Sequence, residues 1–161
     1  MKSISKLICL FLTMSIFITM SGYAAQNHTA YINENGEVIE TGIDIIVDGA
    51  ALDFSGVHEP VIIDGRTLIP MRKLFETLNA EVSWDENEQS ITASSNGTTV
   101  KLFIDNSVMY VNGVSTVLDT APRLKKYNDN FDTTMVPVRA VSESFSCDVN
   151  WDEENYSVII T

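Results

Sequence analysis

A block of eighteen residues that recurs 67 positions downstream without a gap constrains this chain more than any other feature. Leu68 to Asp85 reads LIPMRKLFETLNAEVSWD, and Met135 to Asp152 reads MVPVRAVSESFSCDVNWD. Thr67 aligns with Thr134, Pro70 with Pro137, Arg72 with Arg139 and Glu76 with Glu143. Val82, Trp84 and Asp85 align with Val149, Trp151 and Asp152. The chain has only 2 tryptophans, and both fall at the same place in the pattern. Ahead of the blocks, Val47-Asp48-Gly49 echoes Val111-Asn112-Gly113. Similarity at a fixed spacing predicts one unit built twice. The two copies span about 43–104 and 108–161.

Each copy reads alike. Leu68-Ile69 and Met135-Val136 look like strand ends. Pro70 and Pro137 suit the first turn of a helix, where an N–H has no partner in any case. Met71, Leu74, Phe75 and Leu78 then recur at helical spacing and predict one apolar face. Val138, Val141, Ser142 and Phe145 form the weaker equivalent. Asn79 is a plausible left-handed helix stop and Ser146 a poorer one. Val82 and Trp84 alternate with Glu81 and Ser83, which predicts a half-buried strand with Trp84 and Trp151 packed in the core rather than serving as sugar-stacking platforms. Asp85 to Glu88 and Asp152 to Asn155 read as turns, with strands returning at Ser90 to Ala93 and Tyr156 to Thr161. Asn96-Gly97 is a strong hairpin signal between the copies. The expected architecture is α+β: two tandem related units, each a short helix packed on antiparallel β-hairpins.

The ends and the charge narrow the function. Lys2 and Lys6 precede an apolar run from Leu7 to Met20, followed by Ser21, Gly22, Ala24 and Ala25. This is the layout of a secretory signal, and the run is short for a membrane span. We expect residues 1–24 to be the signal, 25–42 a flexible polar arm, and 43–161 the domain. Removing Lys2 and Lys6 would move the net charge from −12 to −14. Such a surface repels nucleic acid and bare anionic membrane. Cys9 leaves with the signal, so Cys147 stands alone and is expected to be a small buried apolar residue.

The search for chemistry finds little. His28 and His58 sit in no catalytic motif and read as surface residues. Glycines do not cluster into a phosphate loop, and Cys and His are too few for zinc. Asn128, Asn130 and Asp132 have the alternate spacing that opens a calcium loop. The glycine that should follow is missing, and Arg139 stands where a bidentate Glu belongs. The acidic turns are expected to be solvated without an ion. The Arg72–Glu76 and Arg139–Glu143 pairs at i, i+4 are expected to be structural helix partners.

The combined pattern, Gly65-Arg66-Thr67-Leu68, Pro70, Arg72, Glu76, Ala80, Val82, Trp84, Asp85 and then Pro137, Arg139, Glu143, Val149, Trp151, Asp152, resembles the copper amine oxidase N-terminal-like domain. That family, also called the stalk domain, is common in secreted and wall-associated proteins of Gram-positive bacteria. The second copy departs from it by lacking Gly-Arg-Thr and by a longer loop from Tyr127 to Thr133. Asn79 and Ser146 stand where the family usually has Gly. The resemblance implies a stalk without the oxidase, because the copper site and quinone lie in a separate domain. That site needs three His and an Asn-Tyr-Asp/Glu sequence, whereas this chain has His28, His58 and Asn155-Tyr156-Ser157. The expected protein is therefore non-catalytic and without a cofactor. It is exported to the envelope and held by an unknown protein or cell-wall polymer. The alternative is a carbohydrate-binding accessory module, which exposed aromatics at Tyr110, Tyr127 and Phe131 would favour. No wall-sorting signal or lipid anchor follows the last strand, so the expectation is a free protein or one held by its partner.

Overall fold

The computed structural model describes residues 28–128 and 131–161. The expected signal at 1–24 and the candidate calcium residue Asn130 lie outside the described residues. The side chains of Tyr127, Asn128 and Phe131 are likewise not described.

The described chain is mostly β. In order it runs β1 (Thr29–Ile32), β2 (Val38–Thr41), β3 (Asp44–Val47), β4 (Ala50–Ala51), β5 (Val61–Ile63), β6 (Arg66–Pro70), α1 (Met71–Thr77), β7 (Glu81–Asp85), β8 (Ser90–Ser95) and β9 (Thr98–Phe103). There follow β10 (Val108–Val111), β11 (Val114–Val117), β12 (Arg123–Asn128), β13 (Phe131–Pro137), α2 (Val138–Ser144), β14 (Val149–Asp152) and β15 (Ser157–Ile160). The expectation of an α+β fold of helix-on-hairpin repeats is overturned. Strand takes 50% of the described residues and helix 11%, in three sheets. The physical reason is helix length. Each helix has 7 residues, no side-chain cap and no acidic first turn. Helices this short do not stand alone and form only because sheets bury them.

The sheets are a six-stranded one ordered β1-β2-β5-β6-β13-β12, a five-stranded one ordered β11-β10-β9-β8-β7, and a four-stranded one ordered β14-β15-β3-β4. In the largest, β6 and β13 lie antiparallel, with Ile69 opposite Val136, Leu68 opposite Pro137 and Pro70 opposite Met135. Ile69 and Val136 are the same position of the two blocks, so the blocks meet about a local two-fold axis. Alternation along these strands serves both faces of the sheet. Ile62, Ile69 and Val136 join the main core with Leu74, Phe75, Ile91, Val100, Leu102 and Val141. On the other face Leu68 and Met135 pack with Ile39, Val61 and Ile63.

The other two sheets cross between the blocks. β15, at the end of the second block, takes β3 as its parallel neighbour, with Val158 opposite Ile45. β8, at the end of the first block, pairs antiparallel with β9, which pairs antiparallel with β10. β10 is therefore parallel to β8, one strand removed. The hairpin that precedes each block extends the sheet that ends the other block. The units interlock rather than following one another in tandem.

Residues 29–41 are not a flexible arm. β1 and β2 form a hairpin, and β2 pairs with β5. The Asn33 side chain accepts from the N–H groups of Asn35 and Glu37 at 3.0 and 2.9 Å and closes the turn. Only Ile39 is buried in that hairpin, so its polar composition hides two strands. Similarly, part of the expected Tyr127–Thr133 loop lies in β12 and β13, which pair as a hairpin. Among the described residues no helix is long and apolar enough to cross a membrane.

Candidate functional site

The residues singled out in the two blocks fall into structural and exposed groups. Pro70 and Pro137 are buried N-caps of α1 and α2. Both sit at the strand-to-helix step rather than inside the first turn. Asp85 accepts hydrogen bonds from the N–H groups of Asn87 and Glu88 at 2.9 and 3.1 Å. Asp152 does the same with Glu154 and Asn155 at 3.0 and 3.1 Å. The amide of Asn155 also donates to Asp152 at 2.7 Å, and this bond with the backbone bonds holds that carboxyl below the usual carboxylate range. These aspartates shape turns. Among the described residues no group of three or more His, Cys, Asp or Glu is placed to hold a metal.

Both helices end alike. Ala80 N–H reaches Phe75 O at 2.9 Å and Asn79 N–H reaches Glu76 O at 3.1 Å, with Asn79 at φ 51°. Cys147 and Ser146 repeat this on Ser142 and Glu143 at 3.1 and 3.0 Å, with Ser146 at φ 67°. This double bond is the Schellman stop, which normally prefers glycine, and here Asn and Ser adopt it. Cys147 is half-buried against the core, and burial with nearby Asp48 and Asp148 pushes its thiol up. His58 is buried, not on the surface, and burial together with Lys125 lowers its pKa.

Trp84 and Trp151 are not core residues. They are 42% and 38% exposed, on β7 and β14. Each of these strands is the edge of its sheet, so one flank of the ring finds no neighbouring strand. The Arg72–Glu76 and Arg139–Glu143 pairs do not close into ion pairs among the described residues, where the salt bridges are His28–Glu40, Arg66–Asp119, Lys101–Glu88 and Arg123–Glu37. All four residues of the two pairs are exposed.

Five of the selected residues nevertheless share one place. A cleft of about 900 Å³ is lined by Arg66, Pro137, Arg139, Glu143 and Trp151. α2, the β10–β11 hairpin, β14–β15 and the turn between β5 and β6 all contribute to its lining. Arg72, Glu76 and Trp84, their counterparts in the first block, do not line it. Arg66 Nε donates to Asp119 at 2.9 Å across the rim. The pair is exposed and worth less than about 1 kcal/mol, so it tethers the guanidinium without consuming it.

Tyr156 was missed by the sequence reading as a site residue. It lies at φ 51° in the turn before β15, where Gln89 stands at φ 50° in the first block. Its ring meets Trp151 edge-on with centroids 5.0 Å apart at 78°. His28 covers it at 3.8 Å, and its hydroxyl donates to Glu40. Burial first, then Glu40, pushes the phenol above its ordinary pKa. The signal that could have found it is an aromatic four residues after Asp152, at the positive-φ turn position that Gln89 fills in the first block. Tyr110 is exposed and edge-on to Phe103 at 6.1 Å, outside this cluster.

No curated protein matches the chain. The family profile of the copper amine oxidase N-terminal domain matches residues 46–160, which is most of the chain and almost all of its described core. That domain is a non-catalytic one. The matched span covers both blocks, both helices and most of the strands that interlock them, and on that basis the chain belongs to the copper amine oxidase N-terminal domain family.

Proposed function

We propose that this protein is a secreted, non-catalytic interaction domain of the bacterial cell envelope. The family membership supports the non-catalytic part. The amino-terminal pattern of Lys2, Lys6 and the apolar run to Met20 supports export. The same reading takes the two blocks as copies of one unit. The observation that carries the reading is the cleft beside α2, an open depression of about 900 Å³ lined by an exposed indole and by charged groups that make no ion pair among the described residues. Surfaces that grip a partner concentrate such aromatic and arginine anchors. A nucleophile beside a base would speak instead for catalysis. Of the two histidines, His28 sits against Tyr156 and Glu40, and His58 is buried beside Lys125.

The test is capture of the exported chain on isolated cell walls and, separately, on culture-supernatant proteins. Retention on either supports an interaction domain, and retention on neither contradicts it. A parallel assay with added copper and an amine should release no peroxide. Peroxide release would contradict the non-catalytic reading. A second reading, an accessory module that binds carbohydrate, is favoured by the exposure of Trp151 beside Tyr156.

A further inference from the structure

The cleft is lined by aromatic and by polar side chains, and the two together specify a ligand class. Trp151 is backed edge-on by Tyr156. Tyr156 is itself fixed by the His28 ring and by its bond to Glu40. A ring braced in this way has little freedom left to lose when a ligand docks on it. Arg139, Glu143, Asn150 and Glu153 are all exposed and line the same cleft. None of the four makes a side-chain hydrogen bond or ion pair among the described residues. Arg139 only donates, the carboxylates only accept, and Asn150 does both.

We propose that this cleft binds an oligosaccharide of a few rings, neutral or amine-bearing, with one sugar face stacked on Trp151. This rests on the interaction-domain reading and adds the ligand and the residues that hold it. Sugar rings offer an apolar C–H face to an indole and hydroxyls that both donate and accept. Mixed donors and acceptors satisfy such hydroxyls, whereas a phosphate polymer asks for donors alone. The groups unpaired among the described residues are one guanidinium and two carboxylates, on a chain of net charge −12, so a polyanion is repelled and an amine is tolerated or attracted. The volume of about 900 Å³ lies within the range of small-ligand sites, roughly 300–1,000 Å³, and leaves room for more than one ring.

The exported chain is titrated with tetramers of N-acetylglucosamine, of glucosamine and of an anionic hexuronic acid, by calorimetry and by indole chemical shifts. The neutral or the amine-bearing tetramer should bind and the uronate should not. Trp151→Ala should weaken binding about tenfold or more. Trp84→Ala, at an equally exposed tryptophan outside the cleft, should leave it unchanged. Arg139→Gln should weaken it less than Trp151→Ala. Failure of both glucosamine tetramers to bind, a preference for the uronate, or wild-type binding by Trp151→Ala overturns the proposal. If Trp151→Ala does not fold, the unaltered chain decides. Shifts at the Trp151 indole with Trp84 unmoved support the site, and the reverse overturns it. Loss of sugar binding with wall or protein capture retained overturns the glycan site alone. Loss of capture as well overturns the interaction reading.

Discussion

The Asp85 turn and the Asp152 turn are closed by the same pair of backbone N–H bonds to the aspartate, yet the strands that leave them meet different neighbours. Ser90 and Ser157 begin those strands, and both are buried. Gln89 O accepts from Ile104 at 3.0 Å, and Tyr156 O accepts from Asp44 at 3.3 Å. In the first block the acceptor meets the strand that follows through the Asn96-Gly97 turn. In the second it meets a strand from the beginning of the domain. Local residue chemistry thus settles turns and helix ends twice over. The partner of each outer strand depends on what chain lies nearby, and that is where the blocks diverge. The divergence places the β10–β11 hairpin and the β14 edge on either side of α2, where the cleft lies.

The helix faces offer the sharpest way to break this comparison. Phe75 is fully buried and meets Phe145 of the second block edge-on at 6.2 Å. Phe75→Ala should cost about 3–5 kcal/mol, read from denaturant unfolding. A loss below about 1 kcal/mol would show that this position does not join the blocks. Ile45 on β3 is 1% exposed and sits in the strand shared with β15. Ile45→Ala should cost about 2–4 kcal/mol, as a residue of one common core would.

Ser142 is the counterpart of Phe75 and is buried, with a hydroxyl that finds no hydrogen-bond partner among the described residues. An unsatisfied buried hydroxyl costs about 1–3 kcal/mol. Ser142→Ala should therefore raise stability by about 1 kcal/mol, seen as a higher melting temperature. A fall would mean that the hydroxyl is bonded in solution. Trp84→Ala should cost less than about 1 kcal/mol because the ring is exposed on an edge strand. Trp151→Ala should cost more, by the edge-on contact with Tyr156, which is worth about 0.5–1.5 kcal/mol. Equal losses would deny the difference between the two edges.

The smallest effect concerns Glu37, on the hairpin turn before β2. The Arg123 guanidinium donates to it at 2.7 Å, Asn33 adds a second bond, and its carboxyl is held below the usual carboxylate range. A carboxyl whose folded pKa is lowered stabilises the fold above its unfolded pKa, and that stability is lost as pH falls through the folded value. Arg123→Gln should therefore lower the melting temperature near neutral pH and shrink the drop between pH 5 and pH 3. An unchanged drop would show that this bridge between the hairpin and β12 is absent in solution.

Much of this could be read in the residues and some could not. The turns at Asn96-Gly97 and Asp85, and the helices after Pro70 and Pro137, follow from short-range chemistry that a sequence displays. The exposure of Trp84 and Trp151 was hidden, because strict alternation says that a strand has two faces and not whether a sheet continues beyond it. The parallel pairing of β3 with β15 joins residues more than a hundred positions apart, and no local signal announces it. β1 and β2 were hidden for the opposite reason, since only Ile39 is buried there and polar composition resembles a linker. The site was half legible. Arg139, Glu143 and Trp151 stand out by their recurrence, but Tyr156 gains its place only from the fold.

The interlocking of the blocks is tested most directly by cutting the chain between them. Residues 28–104 and 108–161 are produced separately and followed by circular dichroism and thermal melting, alone and mixed. The account predicts that neither melts cooperatively by itself, because 108–161 lacks β3 and β6 and 28–104 lacks β13 and β15. Mixing should restore a cooperative transition. A cooperative melt of 108–161 alone would contradict it.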